Sequence, residues 1–197
     1  LDQAHRQIYY ASTTIEVKQS FTSNLCQYDV DADKMTLLNN ELSIHGVYKT
    51  SAGLIIAGSR CVQYGINENA QFFIYQDGNI ELLADYDLGV GSSVGSDCRL
   101  GGSVFVKEQD DILYFVATQN EHASIFAMQA NGDLNCIYDT KGSVDGFAVA
   151  GKYLYFIMME ANGLQEVYCM DLDSKETKKL TSYNDAYLAT KTVVPVE

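Results

Sequence analysis

Short runs that alternate apolar and polar residues, hairpin-type turns between them, and recurrence of the whole pattern at intervals of 45, 54 and 43 residues predict an all-β fold. The intervals separate Leu38, Leu83, Ile137 and Leu180, taken as equivalent last-strand positions. Units of about 40 to 50 residues with up to four short strands each are the pattern of propeller blades. The expected architecture is a partial β-propeller of about four blades, four antiparallel strands per blade. A two-sheet sandwich also has short strands and turns, but it does not require such a recurrence.

The clearest copy of the unit is the fourth. Val144 to Ala150 and Tyr153 to Met159 are apolar runs, Glu166 to Leu172 alternates, Asp173-Ser174-Lys175 is a turn, and Thr177 to Leu180 closes the unit. In the first unit Ile8 to Thr14 is β-branched and aromatic, Asn24 to Val30 alternates, and Lys34 to Leu38 follows an Asp31-Ala32-Asp33 turn. This unit lacks an opening strand. The second holds Leu42 to Lys49, Gly53 to Ala57, Ala70 to Tyr75 and Asn79 to Leu83, with Asp77-Gly78 as a hairpin turn of the kind that tolerates positive φ. The third holds Ser103 to Lys107, Ile112 to Val116, Ala123 to Met128 and Leu134 to Tyr138, with a turn at Asn131-Gly132. Blades are therefore expected at about 8–40, 42–84, 103–139 and 144–182, with an extended link at 185–197. Helical periodicity is weak and confined to Asp185 to Ala189. An arc of blades leaves an apolar face open at each end, which predicts self-association.

Composition narrows the function classes. At 47% hydrophobic and 20% charged the chain is globular, and no apolar run approaches the roughly 20 residues of a membrane helix. A formal charge of −13 repels phosphate backbones, so nucleic acid is not an expected partner, nor is a membrane. Cys26, Cys61, Cys98, Cys136 and Cys169 are odd in number and form no Cys-x-x-Cys pair. They read as reduced, mostly buried thiols of a cytoplasmic protein. Neither they nor His5, His45 and His122 fall at metal-ligand spacings, and no cofactor is expected. The first residues, Leu1 to Arg6, carry neither an initiating Met nor a signal-peptide pattern and read as the start of a processed or truncated product.

Two local motifs imitate chemistry. Gly91-Ser92-Ser93-Val94-Gly95 matches the nucleophile elbow, which needs a strand leading in and a helix leading out. Here turn-like residues, Asp85 to Val90, precede it and no helical pattern follows. A triad would have to draw on Asp97, Asp110 or Asp111 and then His122, all inside one blade. Asp29-x-Asp31-x-Asp33 imitates a calcium loop but has Lys34 at the sixth position and Asn40 at the twelfth, where Gly and Glu are required. Asp171-Leu172-Asp173 occupies the same place in the fourth unit, so both read as hairpin turns in which Asp binds local backbone. The 14 Tyr, with no Trp, suit blade interfaces or a polar channel. No catalytic, metal or cofactor residue is assigned.

Gln165 to Asn184, followed by Tyr187-Leu188-Ala189 and Val193 to Glu197, resembles the last propeller blade of the prolyl oligopeptidase family, particularly its acylaminoacyl-peptidase-like branch. Asp85 to Arg99, with Ser96-Asp97-Cys98-Arg99, resembles a blade-to-blade loop of that branch. The chain departs from it at Pro195-Val196-Glu197, where Pro followed directly by Glu is expected. The resemblance implies a non-catalytic segment of a cytoplasmic serine peptidase whose α/β-hydrolase domain, carrying the triad, lies beyond Glu197. Its partners would be that domain and peptide substrates, which the propeller gates by size. The alternative is a protein-interaction scaffold resembling WD-repeat propellers, although their Gly-His and Trp-Asp pairs are missing. A free-standing hydrolase using Ser93 is a third reading.

Overall fold

The structure is a computed structural model and describes residues 1–15, 17–18, 20–92, 94, 104–160 and 163–191. It forms two compact units. The first is Leu1–Leu88 with Asp110–Ile112 and Met128–Asp133; the second is Gly89–Gln109, Leu113–Ala127 and the chain from Leu134 on.

The first unit contains two antiparallel sheets. One has three strands in the order β1 (Gln7–Ser12), β2 (Asn24–Asp29), β3 (Lys34–Asn39). The other has four strands in sequence order, β4 (Ser43–Thr50), β5 (Gly53–Ser59), β6 (Gln71–Gln76) and β7 (Asn79–Ala84). Alternation decides which side chains meet: Leu25 of β2, Leu54 and Ile56 of β5 and Phe73 of β6 are buried with Leu42 in one cluster. Tyr9, Leu38, Val47 and Tyr75 pack around it. The opposite face of the three-stranded sheet, carrying Ile8, Tyr10, Met35 and Leu37, is exposed.

The turns carry the repeat at atomic detail. Asp29 Oδ1 accepts the N–H groups of Asp31 and Ala32 at 3.0 and 2.8 Å. Asp171 Oδ1 accepts those of Asp173 and Ser174 at 2.9 and 3.1 Å, and the fifth residue of both turns, Asp33 and Lys175, has positive φ. The calcium-like spacing is therefore an Asx turn used twice.

The second unit shows why one interval is 54 residues. The first strand of the third blade is split into β8 (Gly89–Val90) and β9 (Val106–Gln109), both paired with β10 (Ile112–Gln119). Gly91 N donates to Val116 O at 2.8 Å, and Val116 N donates to Phe105 O at 2.9 Å. The strand stops and resumes opposite one residue, and residues 92–104 intervene. Gly89 and Val90, expected as turn-like, are the first half of that strand; Ser103, expected in the second half, lies outside the described residues. β11 (His122–Gln129) and β12 (Leu134–Tyr138) complete this blade.

The last blade is β13 (Ser143–Ala150), β14 (Tyr153–Met159), β15 (Glu166–Asp171) and β16 (Thr177–Lys179), paired in that order. A single parallel bridge, Ala123 to Ser143, joins it to β11. Gly142 leaves no room for a side chain, since a Cβ there would lie 1.9 Å from the Met159 carbonyl oxygen. Aromatic packing fills the interior: Phe156 lies 4.4 Å from Tyr138 and 5.6 Å from Tyr168 between ring centroids. Beyond β16 the chain turns into a one-turn helix, α1 (Asp185–Leu188), so the link expected to be extended begins helically. Residues 192–197, the rest of that link, lie outside the described residues.

Of the cysteines, only Cys26 among those described is buried; Cys61 and Cys169 are half-buried and Cys136 is exposed. The expectation of mostly buried thiols is corrected here. Cys136 lies on β12, the last strand of its blade, and Cys61 lies in a loop, where apolar character does not force burial.

Candidate functional site

The inner strands of the second and fourth blades share a device that the repeat exposes. Ile44-His45-Gly46 and Val144-Asp145-Gly146 stand at equivalent positions, and both ladders shift register there. A bulge re-aims the extra residue. In the second blade it leaves His45 exposed, whereas in the fourth it places Asp145 in a polar network at 4% exposure.

That network runs through the end of the last blade. Ser143 Oγ lies 2.9 Å from Asp145 Oδ1, 2.8 Å from the Val94 carbonyl and 3.1 Å from Ser92 Oγ. Having one proton, Ser143 serves Asp145, while Ser92 donates to Val94 O at 2.8 Å. On the other side Gln165 donates from Nε2 to Asp145 Oδ2 at 3.1 Å. The Gln165 carbonyl accepts Asn184 Nδ2 at 2.8 Å.

Glu166, the first residue of β15 and 4% exposed, is the centre of the exit. Its carboxylate accepts the Thr181 hydroxyl, Tyr183 N at 3.2 Å, Asn184 N at 2.8 Å and Asn184 Nδ2 at 3.0 Å. Thr181 Oγ1 also accepts Val167 N at 2.9 Å. Burial alone would push the Glu166 carboxyl up; the hydrogen bonds from Thr181, Asn184 and Tyr183 overcome it and hold it at about 2. Thus Glu166 binds the chain where it leaves the last strand. In the same blade region burial, with the Glu160 carboxylate, pushes the Tyr138 phenol up to about 12, so it stays a neutral donor to Met158 Sδ at 3.3 Å.

This constellation has carboxylates, hydroxyls and amides but no imidazole beside a nucleophile. Its chemistry is to fix backbone. Of the triad candidates, the described ones do not come together. Ser93 and Asp97 lie outside the described residues, as do Ser96, Cys98 and Arg99 of the loop resemblance. Asp110 and Asp111 form the turn before β10 and His122 follows its far end, about 25 Å away along an eight-residue strand. His122 Nε2 is instead 3.8 Å from Asp139 Oδ1, which accepts Ser124 Oγ at 3.0 Å. Because Asp139 takes the serine proton itself, Ser124 is not aimed at His122, and no nucleophile–base pair forms. Among the described residues no cluster of three or more His, Cys, Asp and Glu could hold a metal ion.

Sequence reasoning missed Asp145, Gln165 and Glu166 as a group. The shared apolar-x-Gly pattern at 44–46 and 144–146 was the available signal for the bulge. Nothing local marks Glu166, whose partners lie 15 to 18 residues away.

The fold and this joint define the class: a partial β-propeller of about four blades, with an end built to fasten the departing chain. Among solved structures, the chain is similar to acylaminoacyl peptidase from Pyrococcus horikoshii, with TM-score 0.72 and 16% identity over 94% of this chain and 27% of that one. It is similar to the β-propeller domain of the Trilobed protease from Pyrococcus furiosus, described as having an open velcro topology, with TM-score 0.65 and 19% identity over 91% of this chain and 53% of that domain. A puromycin hydrolase matches with TM-score 0.62 and 14% identity over all of this chain and 29% of its own. The chain spans about a quarter of the acylaminoacyl peptidase it matches. No protein-family model matches the sequence, and no curated protein matches it.

Proposed function

We propose that this chain is the propeller segment of a cytoplasmic serine peptidase of the prolyl oligopeptidase family, acylaminoacyl-peptidase-like, which restricts peptide substrates by size and performs no chemistry itself. The observation that carries the reading is that solved structures sharing this fold over nine-tenths of the chain include an acylaminoacyl peptidase and a puromycin hydrolase, of each of which it spans under a third. The joint around Glu166 supports it, since a blade that must carry a following domain needs a fixed exit. Four free cysteines among the described residues suit a reducing compartment.

The test is made on the full-length protein. It is expected to cleave short acylaminoacyl peptides and to spare unfolded polypeptides of protein size. A variant whose propeller is propped open by inserting a flexible linker after Lys191 should cleave both. Equal cleavage of long and short substrates by the intact protein would sink the filtering role, and the absence of a hydrolase domain would sink the peptidase reading.

The exposed apolar faces supply a second expectation. Ile8, Tyr10, Met35 and Leu37 on the first sheet, and Tyr153 and Tyr155 on the last, are uncovered in the isolated chain. The 197-residue chain should self-associate, and a light-scattering mass of one chain at micromolar concentration would exclude it.

A further inference from the structure

The two sheets of the first unit meet through one apolar cluster, and at one end of it they part. The row of β4, β5 and β6 next to their hairpin turns is Lys49, Leu54 and Tyr75, paired across the strands. Residues paired across a ladder share a face. Leu54 and Tyr75 belong to the cluster, so Lys49 starts from the same inward face. The row opposite is Tyr9 of β1 and Gln27 of β2, with Leu38 of β3 beside it. These six side chains and the two turns line an open cleft of about 440 Å³, a size usual for small-ligand sites.

Lysine is ordinarily exposed, and every other lysine among the described residues is. Lys49 is half-buried. Its ammonium donates to Thr50 O at 2.7 Å, which leaves two N–H groups. Arg6, Arg60, Lys152 and Lys179 each contact a carboxylate at 2.6 to 3.1 Å, whereas Lys49 contacts none among the described residues of a chain with 26 acidic side chains. Asp2 and Asp111 feel its charge, but Asp2 is bonded to His5 and Asp111 to Ser51, and those bonds do more than Lys49 to hold the two carboxyls below the usual range. The Gln27 amide and the Tyr75 hydroxyl also have no hydrogen-bond partner among the described residues. A half-buried cation with spare donors, set between two aromatic rings and an apolar floor, is the chemistry of a site for an apolar anion.

We propose that this cleft binds the carboxylate end of a short peptide whose last residue is apolar. The carboxylate takes the two Lys49 N–H groups, as charge-assisted hydrogen bonds in a partly desolvated place. The last side chain lies on Leu38 and Leu54 between the Tyr9 and Tyr75 rings. The Gln27 amide, both donor and acceptor, meets the last peptide unit. A free amino acid would instead bring its ammonium beside that of Lys49. Asp77, on the β6–β7 turn at the rim, disfavours a second negative charge, so the occupant is a monocarboxylate. The site lies wholly within the first unit and stands whether or not the chain belongs to a peptidase.

The test is a titration of the 197-residue chain with N-acetylphenylalanine, followed through its backbone amide shifts. Shifts at Lys49 to Leu54 and Tyr75 to Gly78 should saturate together. N-acetylphenylalanine amide, which lacks the charge, should bind about tenfold or more weakly, the size expected for losing a hydrogen bond to a charged group. Lys49→Met should weaken the acid by a similar factor and Lys49→Arg should keep most of its affinity. The acid and amide comparison needs no variant, so it decides the matter even where Lys49→Met fails to fold. Equal binding of acid and amide, or no saturation below about 10 mM, would overturn the proposal. Hexanoate, an apolar carboxylate with no amide, binding as tightly as N-acetylphenylalanine would overturn the peptide assignment.

Discussion

Replacing Glu166 with Gln is expected to lower the unfolding free energy by about 2–3 kcal/mol at neutral pH and to release residues 181–191 from the last blade. Every partner of the carboxylate is a donor: the Thr181 hydroxyl, two backbone N–H groups and the Asn184 amide. An amide of the same shape turns its NH2 toward some of them and leaves those buried N–H groups without an acceptor. The size follows from linkage, since a carboxyl held at about 2 rather than at its ordinary 4.5 binds its proton less readily when folded, at about 1.4 kcal/mol per tenfold change in affinity.

The folded value is depressed, so the stabilisation is fully present above about 4.5 and fades as pH falls toward 2. Urea unfolding of wild type and Glu166→Gln should therefore diverge at pH 7, approach each other below about pH 4.5 and converge only near pH 2. A difference that stays constant over that range would refute the carboxylate as the cause. Hydrogen exchange adds a local readout: the amides of Tyr183 and Asn184 should lose protection in the variant, while those of β13 and β14 keep theirs.

Phe156→Ala is expected to cost more, about 3–5 kcal/mol. The ring is buried on β14 between Tyr138, from the preceding blade, and Tyr168 of β15, so truncation opens a cavity that neither neighbour can close without leaving its own packing. Against a typical domain stability of about 5–15 kcal/mol this is a large fraction. Tyr155, the adjacent residue, faces the other way and is partly exposed; its replacement by Ala should cost no more than about 1 kcal/mol. Chemical denaturation of both variants checks the contrast. Equal losses at 155 and 156 would mean that this sheet's two faces are not as unlike as the register makes them.

Much of the fold can be read in the residues themselves. Asp77-Gly78 and Asp171 to Lys175 specify their turns because φ preference and Asx hydrogen bonds act within a few positions. The three strands of the first sheet were visible as three runs, Ile8 to Thr14, Asn24 to Val30 and Lys34 to Leu38. The split strand was visible only as an interval of 54 residues, because two residues, Gly89 and Val90, carry too little pattern to announce half a strand. The motif at Gly91 to Gly95 imitated a nucleophile elbow without the strand and helix it needs, and the length of β10 separates His122 from Asp110 and Asp111.

The candidate site was far less accessible to that reading. Ser143 and Asp145 looked like ordinary members of an inner strand, and Glu166 like the first polar position of an alternating one. Their roles rest on contacts across 15 to 51 residues of sequence, from Ser92 to Ser143 and from Glu166 to Thr181. Pattern rules do not reach that far.

The sequence by itself determined the strands, the turns and their period, because each depends on neighbours a few residues away. Only the tertiary structure decided what the bulge at Asp145 faces, where the first strand of the third blade is interrupted and which chain segment Glu166 holds. Those outcomes depend on hydrogen bonds between residues that folding alone brings together, and burial makes such bonds consequential.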